Sequence, residues 1–121
     1  CALPIYTMAH LKIYQNKRTE AIELLETLFN SNNLQINNKM KFECAYQNFL
    51  HNNLDKTITL LNEIDKDSAF KEKSIILLSE IYDYILNNKS AAVDLYLEFL
   101  DLFPNSIYYD MVRMRLRELA S

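Results

Sequence analysis

The residues in this chain best suited to metal ligation or proton transfer are His10 and His51. They lie far apart in sequence and form no histidine pair at helical spacing, so they predict no metal site. Glu23 and Glu26, and the set Asp94, Glu98 and Asp101 at i, i+4 and i+7, could supply paired carboxylates. General acid–base work needs a cleft that drives two such pKa values apart. Carboxylates in a row along one helix predict a solvated face instead. Cys1 and Cys44 are too few for a disulfide framework. Cys44 lies within a helical run, where a thiol is expected as a small buried hydrophobe. Arg115 is the odd charge, because it shares a helix face with Ile107, Tyr108, Met111, Val112 and Leu119. Its stem is expected to lie across the preceding helix and its head to meet Asp94, Glu98 or Asp101 there. No catalytic residue, metal ligand or cofactor site emerges.

Composition points the same way. The chain has 121 residues, enough for one domain with a moderate core, and half of them are hydrophobic. A formal charge of −3 argues against nucleic acid, since phosphate neutralisation needs a basic surface. There is no glycine at all. Dinucleotide folds, phosphate loops and nucleophile elbows rely on glycine where backbone approaches a ligand or takes positive φ, so an α/β enzyme is disfavoured. No apolar run reaches the roughly 18 residues of a membrane span. Cys1 suits either the lipid-bearing cysteine of a mature bacterial lipoprotein or a fragment of a longer protein. The helical pattern that starts directly after it favours the fragment.

The elements that must position these side chains are helices. Apolar spacing predicts them over residues 3–14, 19–31, 39–51, 54–64, 69–86, 89–103 and 106–119. Residues 30–38, rich in asparagine, read as a loop. Ser90 is the expected N-cap of the sixth helix and Pro104 its stop. Ser68 is expected to cap the fifth, and Asn105 or Ser106 the last. In the fifth, Ile75, Leu78, Ile81, Tyr82, Ile85 and Leu86 are expected on one face. The sixth carries apolar residues over most of its circumference, so it needs neighbours on two sides. Asn52 and Asn53 end one helix where asparagine can replace glycine in a left-handed corner.

The helices pair into hairpins, and the hairpins repeat. A small residue, a corner asparagine and a second small residue recur as Ala9, Asn16, Ala21, then Ala45, Asn52, Thr57, then Ser79, Asn87, Ala92. The first interval is 36 residues at each mark, and the second is 34 or 35. A helix–turn–helix unit at that period predicts a solenoid. Small residues let the two helices of each hairpin cross closely.

With these marks the chain resembles three tetratricopeptide repeats plus a terminal helix. In the third hairpin Leu78 and Ser79 match the large–small pair of the first helix, and Tyr82 its aromatic. Ala92, Tyr96 and Pro104 match the small, aromatic and proline positions of the second. Ser79 stands where the family has glycine, and Phe99 where it has a second small residue. Lys12 and Asn48 replace the aromatic in hairpins one and two, which also lack the final proline. The stretch from Ala91 to Leu119, with phenylalanine-proline and a helix ending in arginines, is similar to the end of repeat proteins of the bacterial envelope.

The resemblance implies an all-α fold, a right-handed α-α superhelix of three hairpins (residues 2–31, 38–66 and 68–103) and a capping helix (106–119), in a single domain. It implies a non-catalytic scaffold that binds a peptide or partner protein along a concave face, in bacterial envelope assembly or secretion. The periplasm or outer membrane is the favoured compartment, and the cytoplasm the other. Carried across by register, the concave face comprises Tyr6, His10 and Ile13, then Phe42, Tyr46 and Phe49, then Ile76, Glu80 and Asp83. Several of these suit core packing equally well. A lysine and asparagine set that would hold a C-terminal carboxylate is missing from the matching positions. Self-association through the apolar first helix is also expected. The alternative is a sensing domain that binds a peptide or small ligand and controls a fused output.

Overall fold

The structure is a computed structural model that describes residue 22 and residues 34–121. Every regular element among the described residues is helical. They are α1 (Leu34–Leu50), α2 (Leu54–Asn62), α3 (Lys71–Glu80), a π-helical turn (Ile81–Ile85), α4 (Lys89–Leu102) and α5 (Tyr109–Ala120). The chain divides into two compact units, one ending at Phe70 and the other spanning Lys71–Ser121. No helix of the described residues is long and apolar enough to cross a membrane.

In the first unit α1 packs against α2. The buried side of α1 carries Met40, Cys44, Ala45 and Asn48, and that of α2 carries Thr57, Leu60 and Leu61, with Ile64 just beyond. Burial pushes the Cys44 thiol up to about 12, despite a hydrogen bond from Asn48 that favours the thiolate. Cys44 is therefore the inert, buried thiol that its helical setting implies. The Asn48 amide donates to the Cys44 carbonyl at 2.8 Å. A polar residue thus fits in the core because its hydrogen bonds are made internally.

The helix over Asn37 and Asn38 was expected as loop. Asn38 explains the difference. Its amide donates to Asp65 Oδ2 at 3.1 Å, and its Oδ1 accepts from the Asp65 N–H at 3.2 Å. This reciprocal pair ties the first turns of α1 to the chain leaving α2. A contact 27 residues away overrides weak local helix propensity.

The second unit is built around α4, which packs against α3 on one side and α5 on the other. Ala92, Tyr96 and Phe99, at i, i+4 and i+7, form a buried cluster with Ile75 and Val112. Two neighbours cover most of the apolar surface of α4, while Leu97 and Leu102 stay exposed. On α5 the inward residues are Val112, Leu116 and Leu119. Ile107, Tyr108 and Met111 are exposed, contrary to the expected shared face. Ile107 and Tyr108 precede the helix, which begins only at Tyr109.

The caps differ in part from expectation. Asn88, not Ser90, caps α4: its Oδ1 accepts from the Ala91 N–H at 3.1 Å, and Ser90 lies in the first turn. Ser68 holds the turn before α3 by accepting from the Phe70 N–H. Ser106 orders the approach to α5, accepting from the Tyr108 N–H and donating to Glu72 at 2.7 Å.

Two corners carry the repeat. Asn52 and Asn87 have φ of 64° and 52°, the left-handed region, with no glycine available to take it. Asparagine enters that region more readily than other residues with a β-carbon. Asn87→Gly should therefore be neutral within about 0.5 kcal/mol, while Asn87→Ala should cost about 1 kcal/mol. Thermal unfolding of the pair measures this, and equal melting points would contradict the corner argument. The small residues expected at the crossings are also in place. Ala45, Thr57, Ser79 and Ala92 have no accessible surface. Thr57 Oγ1 donates to the Ala45 carbonyl at 3.2 Å, across its hairpin.

Candidate functional site

The Ile75, Ser79, Asp83 stripe runs down the inward side of the third element at intervals of four residues. Ser79 hides its hydroxyl by donating to the Ile75 carbonyl at 2.6 Å. One step further the same face presents a carboxylate. Asp83 has no accessible surface, so its charge must be met inside the unit.

The π turn makes room for that. Leu86 donates to the Ile81 carbonyl, five residues back, and Asn88 to that of Tyr82. Ala45 and Asn52 are seven residues apart, whereas Ser79 and Asn87 are eight apart. The π turn absorbs the extra residue, which is why the second repeat interval is 34 at one mark and 35 at the others. Single residues added to a helix are commonly accommodated this way. The wider turn also leaves Tyr84, Ile85 and Leu86 exposed. A continuous α-helix would have put Ile85 and Leu86 on the inward face, as expected from their spacing.

Both oxygens of Asp83 accept two hydrogen bonds. Oδ1 takes one from Lys89 Nζ at 2.6 Å and one from Arg115 Nη2 at 2.9 Å. Oδ2 takes one from the Tyr96 hydroxyl and one from Arg115 Nε, both at 2.8 Å. Arg115 thus grips the carboxylate with two parallel bonds, a geometry that lysine cannot supply. Lys89 Nζ also donates to the Asp83 carbonyl at 2.8 Å. Arg115 Nη1 turns to Glu118 at 2.9 Å. The guanidinium lies over the Tyr84 ring, 4.9 Å from its centroid, and Lys89 Nζ is 5.8 Å from the same centroid.

The protonation states follow. Arg115 foremost, then Lys89 and Tyr96, hold the Asp83 carboxyl far below the usual carboxylate range, and together they outweigh burial. Burial first, and then the bond to Asp83 and its charge, raise the Tyr96 phenol. Asp83 likewise raises the Arg115 guanidinium, helped by Glu118. Glu80, one turn earlier, is raised by burial and then by the charge of Asp83. All four acceptor positions of Asp83 are taken, so it is a structural counter-ion rather than a general base. The expected pairing of Arg115 with Asp94, Glu98 or Asp101 is corrected here. Its partners are Asp83 and Glu118, while Asp94 and Asp101 are exposed and Glu98 is half-buried.

Beside this centre lies a small open pocket of about 80 Å³. It is lined by Ile76 and Glu80 from α3, Tyr84 from the π turn, Tyr96 from α4, and Met111, Val112 and Arg115 from α5. Two residues expected on a concave face, Ile76 and Glu80, meet here. The third, Asp83, is not at a surface, because its carboxylate is enclosed by Tyr96, Lys89 and Arg115. In the first unit Tyr46 is exposed and Phe42 and Phe49 are half-buried. Phe42 packs 5.8 Å from Phe70, and Tyr46 lies 6.4 Å from Phe49. Packing of α1 falls on its Cys44 and Ala45 side, leaving Tyr46 accessible. Tyr6, His10 and Ile13 lie outside the described residues, as does the rest of the first hairpin apart from Ile22. Among the described residues no group of three or more histidine, cysteine or acidic side chains could hold a metal ion.

Lys89 and Tyr84 carried no signal in the sequence as contributors to a site. The one available hint was the extra residue between Ser79 and Asn87. No family model and no curated protein sequence matches the chain.

Proposed function

We propose that this chain is a non-catalytic scaffold of the tetratricopeptide type, a right-handed superhelix that binds a peptide or partner protein along the first helices of its hairpins. The observation that carries this reading is the equivalence of two hairpins at a spacing of 34 or 35 residues. Both turn at a left-handed asparagine, and both bury a small residue on each side of the helix crossing. Repeated hairpins of this kind stack, and stacking creates long concave surfaces suited to extended partners. Accessible side chains at the register positions support it: Tyr46 in one unit, and Ile76 and Glu80 at the pocket in the other. Tyrosine at such a place offers large rigid contact area, and the flexible Met111 beside the pocket can adapt its shape to a partner. Assembly or secretion in the bacterial envelope is the setting proposed for it.

The test is photo-crosslinking in the native cell from an unnatural amino acid placed at Tyr46, at Met111, and at Asp101 on the solvated face of α4. A shared partner should be captured from the first two positions and lost when Tyr46 and Met111 are changed to glutamate. Equal capture from Asp101, or capture insensitive to those changes, would overturn the proposal.

A further inference from the structure

The pocket beside Asp83 is unusual in its charge. Around it three carboxylates, of Glu80, Asp83 and Glu118, meet two cations, Lys89 and Arg115, and of these only Glu80 and Arg115 line the pocket itself. Asp83 and Glu118 are engaged by those cations. Glu80 lines the pocket and makes no hydrogen bond or ion pair with any described residue. Arg115 spends three of its five N–H donors on Asp83 and Glu118, and none of its bonds reaches Glu80. Across this cluster one carboxylate, Glu80, is left without a cation; it is exposed at the rim of a pocket whose other walls include Ile76, Tyr84 and Met111.

We propose that this pocket receives a basic side chain, arginine or lysine, from an extended partner peptide, with Glu80 as its counter-charge. The statement rests on the scaffold reading and names the chemistry that its site selects. The apolar walls suit the aliphatic stem of such a residue, and Glu80 its charged head. Met111 stays 52% exposed and is free to close on a stem, while Tyr84, 60% exposed, already carries Arg115 on its ring and offers the stem its edge. The raised Glu80 carboxyl agrees with this: the charge of a bound cation offsets the desolvation and the repulsion from Asp83 that oppose its ionisation. A neutral side chain of equal length gains the wall contacts but leaves Glu80 unpaired.

The full chain, carrying 13C-labelled methionine methyl groups, is titrated at neutral pH with N-acetyl-arginine amide, N-acetyl-lysine amide and N-acetyl-citrulline amide. Citrulline keeps the shape of arginine and removes its charge. The Met111 resonance should respond to both cations, with citrulline weaker by about threefold to fivefold, the scale of a partly exposed ion pair. Glu80→Gln should erase that preference, and Glu80→Lys should remove the response to cations. Equal affinity for citrulline and arginine, a preference that survives Glu80→Gln, or no response of Met111 to any of the three would each overturn the proposal. None of these outcomes decides the scaffold reading, which is tested by crosslinking at Tyr46 and Met111.

Discussion

Asp83→Asn is expected to cost about 2–3 kcal/mol, which for a domain of ordinary stability is a large part of the total. Asparagine keeps the shape and discards the charge. Arg115 and Lys89 then face each other across a neutral amide, and one amide N–H₂ must point at a donor. The penalty comes from leaving Arg115, whose side chain is only 24% exposed, without its anion, and from the buried amide that replaces the carboxylate. Hence Asp83→Leu combined with Arg115→Met should be much less damaging than Asp83→Asn alone. Lys89 remains free to move to water in that variant, since nearly half of its side chain is already exposed. Urea denaturation of the three proteins measures these differences, and a loss below about 1 kcal/mol for Asp83→Asn would refute the buried-counter-ion account.

The pH dependence has a definite sign. The folded carboxyl of Asp83 is depressed, and the unfolded one titrates near about 3.9. Above that value both states are ionised and the stabilisation is complete. As pH falls below about 4 the unfolded chain takes up the proton first, and the contribution is lost progressively down through the folded value. The stability gap between the wild-type chain and Asp83→Asn should therefore be flat from about pH 5 to 8 and shrink below about pH 4.

The second large effect is at Phe99. Among the described residues it is the largest side chain with no accessible surface, and its ring lies 5.4 Å from that of Phe103. Phe99→Ala should cost about 3–5 kcal/mol, the sum of lost transfer energy and an unfilled cavity. The proposed tetratricopeptide register expects a small residue here, which makes the result informative. If α3, α4 and α5 could close to the distance a small residue permits, the cavity would collapse and the cost would fall. The ion pairs of Asp83 with Arg115, and the Ser106–Glu72 bond, hold α5 and α3 where they are, so the full cost is expected. Phe99→Leu, which keeps most of the volume, should cost less than about 1.5 kcal/mol. Equilibrium unfolding of both variants checks the ratio.

Much of the hairpin plan is local, and local features were legible in the sequence. Asn52 and Asn87 stand where a chain without glycine must turn, and Ala45, Thr57, Ser79 and Ala92 stand where two helices must touch. The two-sided burial of α4 follows from how little of its surface is polar. The errors share one cause. Asn38 looked like loop because its helix is held by Asp65, far along the chain. Ile85 and Leu86 looked inward because a period of 3.6 was carried through a turn that is wider. The acids expected to meet Arg115 are those of the preceding helix, because adjacent helices pack together, whereas Asp83 comes from one helix further back.

The sequence by itself determined that the chain is helical, where its corners fall and which small residues lie at the crossings. These depend on backbone preference and on spacing within a few turns. Only the tertiary structure decided which acid meets Arg115, because that choice depends on three elements converging. One extra residue in the π turn sets the approach to the Asn87 corner, α4 brings Tyr96 and Lys89, and α5 brings the guanidinium. A buried charge selects its partner by geometry in space, and no spacing rule along the chain encodes it.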